Sequence, residues 1–146
     1  MPKCRIRSNA PLNAEQSAKI IEAAIREAAK KPTGELTKAD LEKVTTLKFA
    51  RQNLTEVPKG LEKLNQFKGL DLSGNQLTDV PKGLEKLNQL RELYLGNNSL
   101  TDVKGLEKLT QLKLLNLQDN PNLTKAQIDQ LQKALPKCEI YHDASK

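Results

Sequence analysis

The sequence predicts an α/β solenoid, with a parallel sheet of about five short strands on the concave side of stacked coils and helices closing both ends. Three observations carry this prediction. The segment LTEVPKGLEKLNQ at 54–66 returns as LTDVPKGLEKLNQ at 77–89 and, with one Pro deleted, as LTDVKGLEKLTQ at 100–111. Ahead of the copies stand alternating runs of strand period, Leu-x-Phe at 47–49 and Leu-x-Leu at 70–72 and 93–95. The chain of 146 residues has no Trp and only two Tyr and two Phe. A core of Leu, Val and Ile at this length suits one domain that reuses a single packing solution.

Residues 1–43 read as an N-terminal segment and helical cap. Asn13-Ala14-Glu15-Gln16 is a capping box. It opens a helix expected from Ala14 to Lys31, with Ile20, Ile21, Ala24, Ile25 and Ala28 on one apolar face. Pro32-Thr33-Gly34 stops that helix. Leu36 to Leu41 starts a short second helix that leads into Val44.

Residues 44–122 read as repeats of L-x-x-L-x-L-x-x-N-x-L. Val44, Leu47, Phe49 and Leu54 fill the first copy, with Gln52 in the Asn slot. Phe67, Leu70, Leu72, Asn75 and Leu77 fill the second, and Leu90, Leu93, Leu95, Asn98 and Leu100 the third. Leu112, Leu115, Leu117 and Asn120 fill the fourth, with an extra residue before Leu123. The copies start 23, 23 and 22 residues apart. Asn75, Asn98 and Asn120 supply a donor and an acceptor where the chain turns inside the coil and backbone groups would otherwise be unpaired. Gly60, Gly83 and Gly105, with Pro58 and Pro81, shape the return path. A single coil is too thin to hold a core, so neighbours must stack.

This pattern resembles the bacterial leucine-rich-repeat family over roughly residues 36–142. The helical segment with its linker Lys31-Pro32-Thr33-Gly34-Glu35-Leu36 is similar to the N-terminal cap of internalin-type proteins. The resemblance implies a leucine-rich-repeat solenoid that works as a protein- or peptide-binding module. Residues 123–146 complete it as a capping helix from Leu123-Thr124-Lys125-Ala126 through Leu131, a last strand and a tail. Leu135, Cys138 and Ile140 are aligned there as a truncated fifth copy.

Catalytic chemistry finds no foothold. The single His, His142, lies in the last residues and reads as solvated; two Cys and one His so far apart give no zinc spacing. Ser-Gly-Asn at 73–75 and Gly-Asn-Asn at 96–98 belong to the repeat turn, not to a phosphate loop. Asp71 and Glu92 read as surface polar residues rather than an acid–base pair. No enzyme activity, cofactor or metal is expected.

The residues between the inward leucines should form the concave face. Its columns read Lys48, Asp71, Tyr94, Asn116, Glu139; then Thr46, Gly69, Glu92, Leu114, Lys137; then Thr45, Lys68, Arg91, Lys113, Pro136; and Ala50, Ser73, Gly96, Gln118, Tyr141. These positions vary while the framework is nearly copied. Lys68, Asp71, Arg91, Glu92, Tyr94, Lys113, Leu114 and Asn116 are therefore the expected contact residues, with Arg91, Tyr94 and Leu114 at the centre. The net charge of +6 and the Lys68–Arg91–Lys113 column make nucleic acid or another anionic polymer the alternative partner. The charges are interspersed and stacking aromatics are few, which disfavours it. A structural scaffold or fragment without its own ligand is a third reading.

No run of eighteen apolar residues predicts a membrane span. A chain natively started at Met1 is expected in the cytoplasm, and one that lost a signal peptide is expected to be secreted or surface-exposed. A monomer is expected, with one alternative. Pro2-Lys3-Cys4-Arg5-Ile6 echoes Pro136-Lys137-Cys138-Glu139-Ile140. Residues 2–7 then form an extra strand, either at the N-terminal cap or on the last strand of another molecule. The first and fifth strands should lie about 19 Å apart. A disulfide needs Cα atoms within about 7 Å, so an intrachain Cys4–Cys138 bridge is not expected.

Overall fold

In the computed structural model, residues 14–52, 54, 67–80 and 84–144 are described. The capping box at Asn13, the prolines and glycines at 58, 60, 81 and 83, Cys4 and the segment 2–7 lie outside these residues. Among the described residues the elements are α1 (Ala14–Ala29), α2 (Lys38–Glu42), β1 (Thr46–Lys48), β2 (Gly69–Asp71), β3 (Glu92–Tyr94), β4 (Leu114–Asn116), α3 (Lys125–Ala134) and β5 (Glu139–Tyr141). The five strands form one parallel sheet in sequence order. Short 3-10 turns at Leu84–Lys86 and Leu106–Lys108 lie on the return paths. Gly105 stands before the second with φ 104°, a conformation that only glycine adopts cheaply.

The first helix ends at Ala29, two residues before the expected Lys31. Lys30 takes a left-handed φ of 58°. Its N–H donates to Glu27 O, and the Lys31 N–H donates to Arg26 O. These two bonds make a Schellman closure with Lys in the usual glycine position. Pro32 forces the early stop, because the residue before a proline avoids helical backbone. The Arg26 guanidinium then donates to Lys31 O and Gly34 O, tying the linker to the helix.

Both later helices open on the same Leu-Thr-Lys-Ala sequence and are capped alike. Thr37 Oγ1 accepts from the Asp40 N–H while the Asp40 carboxylate accepts from the Thr37 N–H. Thr124 and Gln127 repeat that exchange. Asp40 also takes the Lys31 ammonium at 2.8 Å. That bond, helped by the Thr37 donors, holds its carboxyl well below the usual carboxylate range.

The core is one continuous row of inward side chains. Leu47, Leu70, Leu93 and Leu115 have no exposed surface, and Phe49 and Phe67 are buried beside them. Asn75, Asn98 and Asn120 stitch each coil to the one before it. Asn98 Oδ1 accepts from the Leu77 N–H, and its Nδ2 donates to the carbonyls of Leu72, Leu95 and Gly96. Asn75 Oδ1 takes both the Gln52 and Leu54 N–H groups. Asn120 Oδ1 takes the Leu100 N–H, and its Nδ2 reaches Leu95 O. One residue ahead of this slot, Arg51, Gly74, Asn97 and Asp119 all have φ between 55° and 68°. The turn thus repeats in left-handed backbone, which explains why Gly, Asn and Asp recur there.

Candidate recognition face

Each strand has three residues, so one inward Leu, or Ile140 in β5, is flanked by two outward neighbours. The register places Thr46, Gly69, Glu92, Leu114 and Glu139 in one outward row. It places Lys48, Asp71, Tyr94, Asn116 and Tyr141 in the next. Four of the five positions in each row stand as the sequence suggests. The fifth does not: Glu139 and Tyr141 occupy the slots assigned to Lys137 and Glu139. The spacing Leu135-x-x-Cys138-x-Ile140 mimics the repeat, yet Ile140, not Cys138, pairs with Leu115. Leu135 and Cys138 are buried at the end of the stack instead. His142, expected to be solvated, is half-buried, and its Nδ1 accepts from the Ala144 N–H.

The corrected register brings two like pairs onto one face. Glu92-Leu93-Tyr94 on β3 and Glu139-Ile140-Tyr141 on β5 flank Leu114 and Asn116 on β4. The Tyr94 hydroxyl donates to Glu92 Oε1 at 3.2 Å, and the Tyr141 hydroxyl donates to Glu139 Oε2 at 3.5 Å. Both rings are thereby held along their strands. Two inter-strand spacings put them about 10 Å apart. Tyr141 is 43 % exposed and is the one exposed large hydrophobic side chain among the described residues. Burial pushes the Tyr94 phenol up, and repulsion from Glu92 and Asp71 adds to it. Asp71 and Asn116 are less free, because each turns a side-chain oxygen back to the backbone N–H two residues on.

A basic margin runs beside these rows. Lys68, Arg91 and Lys113 are exposed, and their backbones are linked in series: the Arg91 N–H donates to Lys68 O and the Lys113 N–H to Arg91 O. Leu114 is half-buried between Glu92 and Glu139. The face is therefore banded, with cations on its margin, carboxylates and one leucine next, then tyrosines.

The α1 helix adds a feature that the repeat pattern does not contain. A groove of about 530 Å³ lies between Ala24 and Ala28 of α1 and Thr46, Asp71, Glu92 and Tyr94 of the sheet. Its position depends on how the cap packs on β1, so no periodic signal marks it. Among the described residues no cluster of His, Cys, Asp and Glu could hold a metal ion. Nor, among the described residues, is any helix long and apolar enough to cross a membrane. Cys138 is a buried free thiol, pushed up by burial and by Glu139.

Comparisons with known proteins agree with this geometry. A family model described as leucine-rich repeats (2 copies) matches residues 68–107 and 88–133. Internalin C2 from Listeria monocytogenes superposes with a TM-score of 0.62 at 25% identity, over 87% of this chain and 56% of that one. A leucine-rich-repeat protein from Leptospira interrogans gives 0.59 at 34% identity, over 74% of this chain and 28% of that one. A second Listeria internalin, inlF, gives 0.56 at 24% identity over 95% of this chain and 48% of its own length, a likeness of fold. The chain thus spans about half the length of the internalins it matches. Comparison with curated protein sequences gives no match.

Proposed function

Because the chain is a leucine-rich-repeat protein with an internalin-like fold, we propose that it recognises a protein or peptide partner through the outward face of its sheet. The observation that carries this reading is the pair of tyrosines, each held by a glutamate on its own strand, on either side of Leu114 and Asn116. Tyrosine gives a large, rigid contact at low entropic cost, and Arg91 supplies an exposed planar cation beside it. Lys68, Asp71, Glu92, Lys113, Leu114 and Asn116 complete the surface, to which the register adds Tyr141 and Glu139.

The test is capture of the partner from the native source, followed by affinity measurement. Arg91→Ala and Tyr94→Ala should each weaken binding by more than about 1 kcal/mol, or roughly fivefold. Unchanged affinity in both variants rejects the face. The cationic margin favours a second reading, binding of an anionic polymer. Glu92 and Glu139 lie in the adjacent row and oppose it. A steep loss of affinity with added salt would favour the polymer, and a flat dependence the protein partner.

A further inference from the structure

The end of the stack is unfinished. Leu47, Leu70, Leu93 and Leu115 have no exposed surface, whereas Ile140, in the same inward slot, is half-buried. On the β4 side, the Glu139 N–H donates to Lys113 O, and Tyr141 O accepts from the Leu117 N–H. Backbone groups alternate sides along a strand, so the N–H and C=O of Ile140 face the other edge. Among the described residues no strand pairs there.

The sequence contains a segment that matches this edge. Residues 2–7 read Pro-Lys-Cys-Arg-Ile-Arg, against Pro-Lys-Cys-Glu-Ile-Tyr at 136–141. We propose that residues 2–7 of a second copy of the chain add to β5 as a sixth parallel strand, with Ile6 beside Ile140, Arg5 beside Glu139 and Arg7 beside Tyr141. A slip of one residue would turn Ile6 out to water, so the apolar slot sets the register. In that register both outward contacts along β5 are complementary, while Lys3 falls level with Lys137 in the turn before the strand. The Arg5 guanidinium meets the Glu139 carboxylate, and the Arg7 guanidinium meets the Tyr141 ring. The two segments differ where one supplies cations and the other their partners.

A second copy suits the edge better than the chain's own segment. Seven Cα steps join Arg7 to Ala14 and reach at most about 25 Å. That is scarcely more than the roughly 24 Å from β1 to a sixth strand, five spacings away, with α1 packed at the β1 end.

Light scattering of the full chain, in reducing buffer at low salt across a concentration series, tests the proposal. The wild-type mass should rise with concentration above the 16.3 kDa monomer. Arg5→Glu and Glu139→Arg should each hold the mass at the monomer value, and the double exchange should restore the rise. Arg91→Ala with Tyr94→Ala should leave the rise intact, which separates this contact from the recognition face. A wild type that stays monomeric, an unaffected Glu139→Arg variant, or a double exchange that fails to recover overturns the pairing.

Discussion

Replacing Asn98 with Ala should remove one of the strongest ties between coils. Asn98 is 6 % exposed and touches two coils at once. Its oxygen satisfies the Leu77 N–H, and its amide, with two hydrogens, serves the carbonyls of Leu72, Leu95 and Gly96. The substitution therefore breaks three hydrogen bonds. The residues that own most of the freed backbone groups, Leu72, Leu77 and Leu95, have no exposed surface, so water does not replace the partner. At about 1–1.5 kcal/mol per bond the loss is about 4 kcal/mol. That is a large share of the 5–15 kcal/mol typical of a folded domain. Urea unfolding followed by far-ultraviolet circular dichroism measures it directly. Asn98→Asp keeps the acceptor, loses both donors and sets a carboxylate against the carbonyls, so it should be at least as damaging. A loss below about 1 kcal/mol for Asn98→Ala would refute the claim that these side chains replace missing backbone partners.

Further outcomes follow from the same structure. In a Tyr141→Phe chain, Tyr94 is the one remaining tyrosine, and its phenolate absorbance should appear with a midpoint above 10.0; adding Glu92→Gln should move that midpoint down. Asp40→Asn should destabilise the cap at neutral pH. Because the folded carboxyl is held low, its contribution is whole above 3.8, and the gap to wild type should close as pH falls below that value. Lys30→Gly should stabilise the chain by about 1 kcal/mol by relieving left-handed backbone, seen as a higher urea midpoint. In a Cys4→Ser chain, Cys138 should resist a thiol reagent until denaturant is added.

The repeat carried most of the fold in its spacing, because one inward leucine per strand and one Asn per turn are local demands met every 22 or 23 residues. Strands β1 to β4 and their rows follow directly from that count. The last strand escaped it. Leu114 and Glu139 are register partners although 25 residues separate them, since α3 lengthens the final coil. Spacing alone could not show that Leu135 and Cys138 are buried ahead of the last strand while Ile140 takes the strand slot. The consequence reaches the recognition face, where Tyr141 replaces Glu139 beside Asn116. A cue was present in the sequence, for Glu-Leu-Tyr at 92–94 and Glu-Ile-Tyr at 139–141 differ only in the central apolar residue. The groove beneath α1 had no such cue, because it arises between a helix and a sheet whose mutual placement no periodicity encodes.

The asparagine stitches also fix how the molecule would yield to force. Each one joins only adjacent coils, and nothing in the ladder reaches further. A pull on the C-terminus would load one seam at a time, freeing about 23 residues, or roughly 80 Å of slack, at each rupture. The chain would then behave as a row of fuses in series, each guarding the coil behind it, rather than as a single block that fails at once.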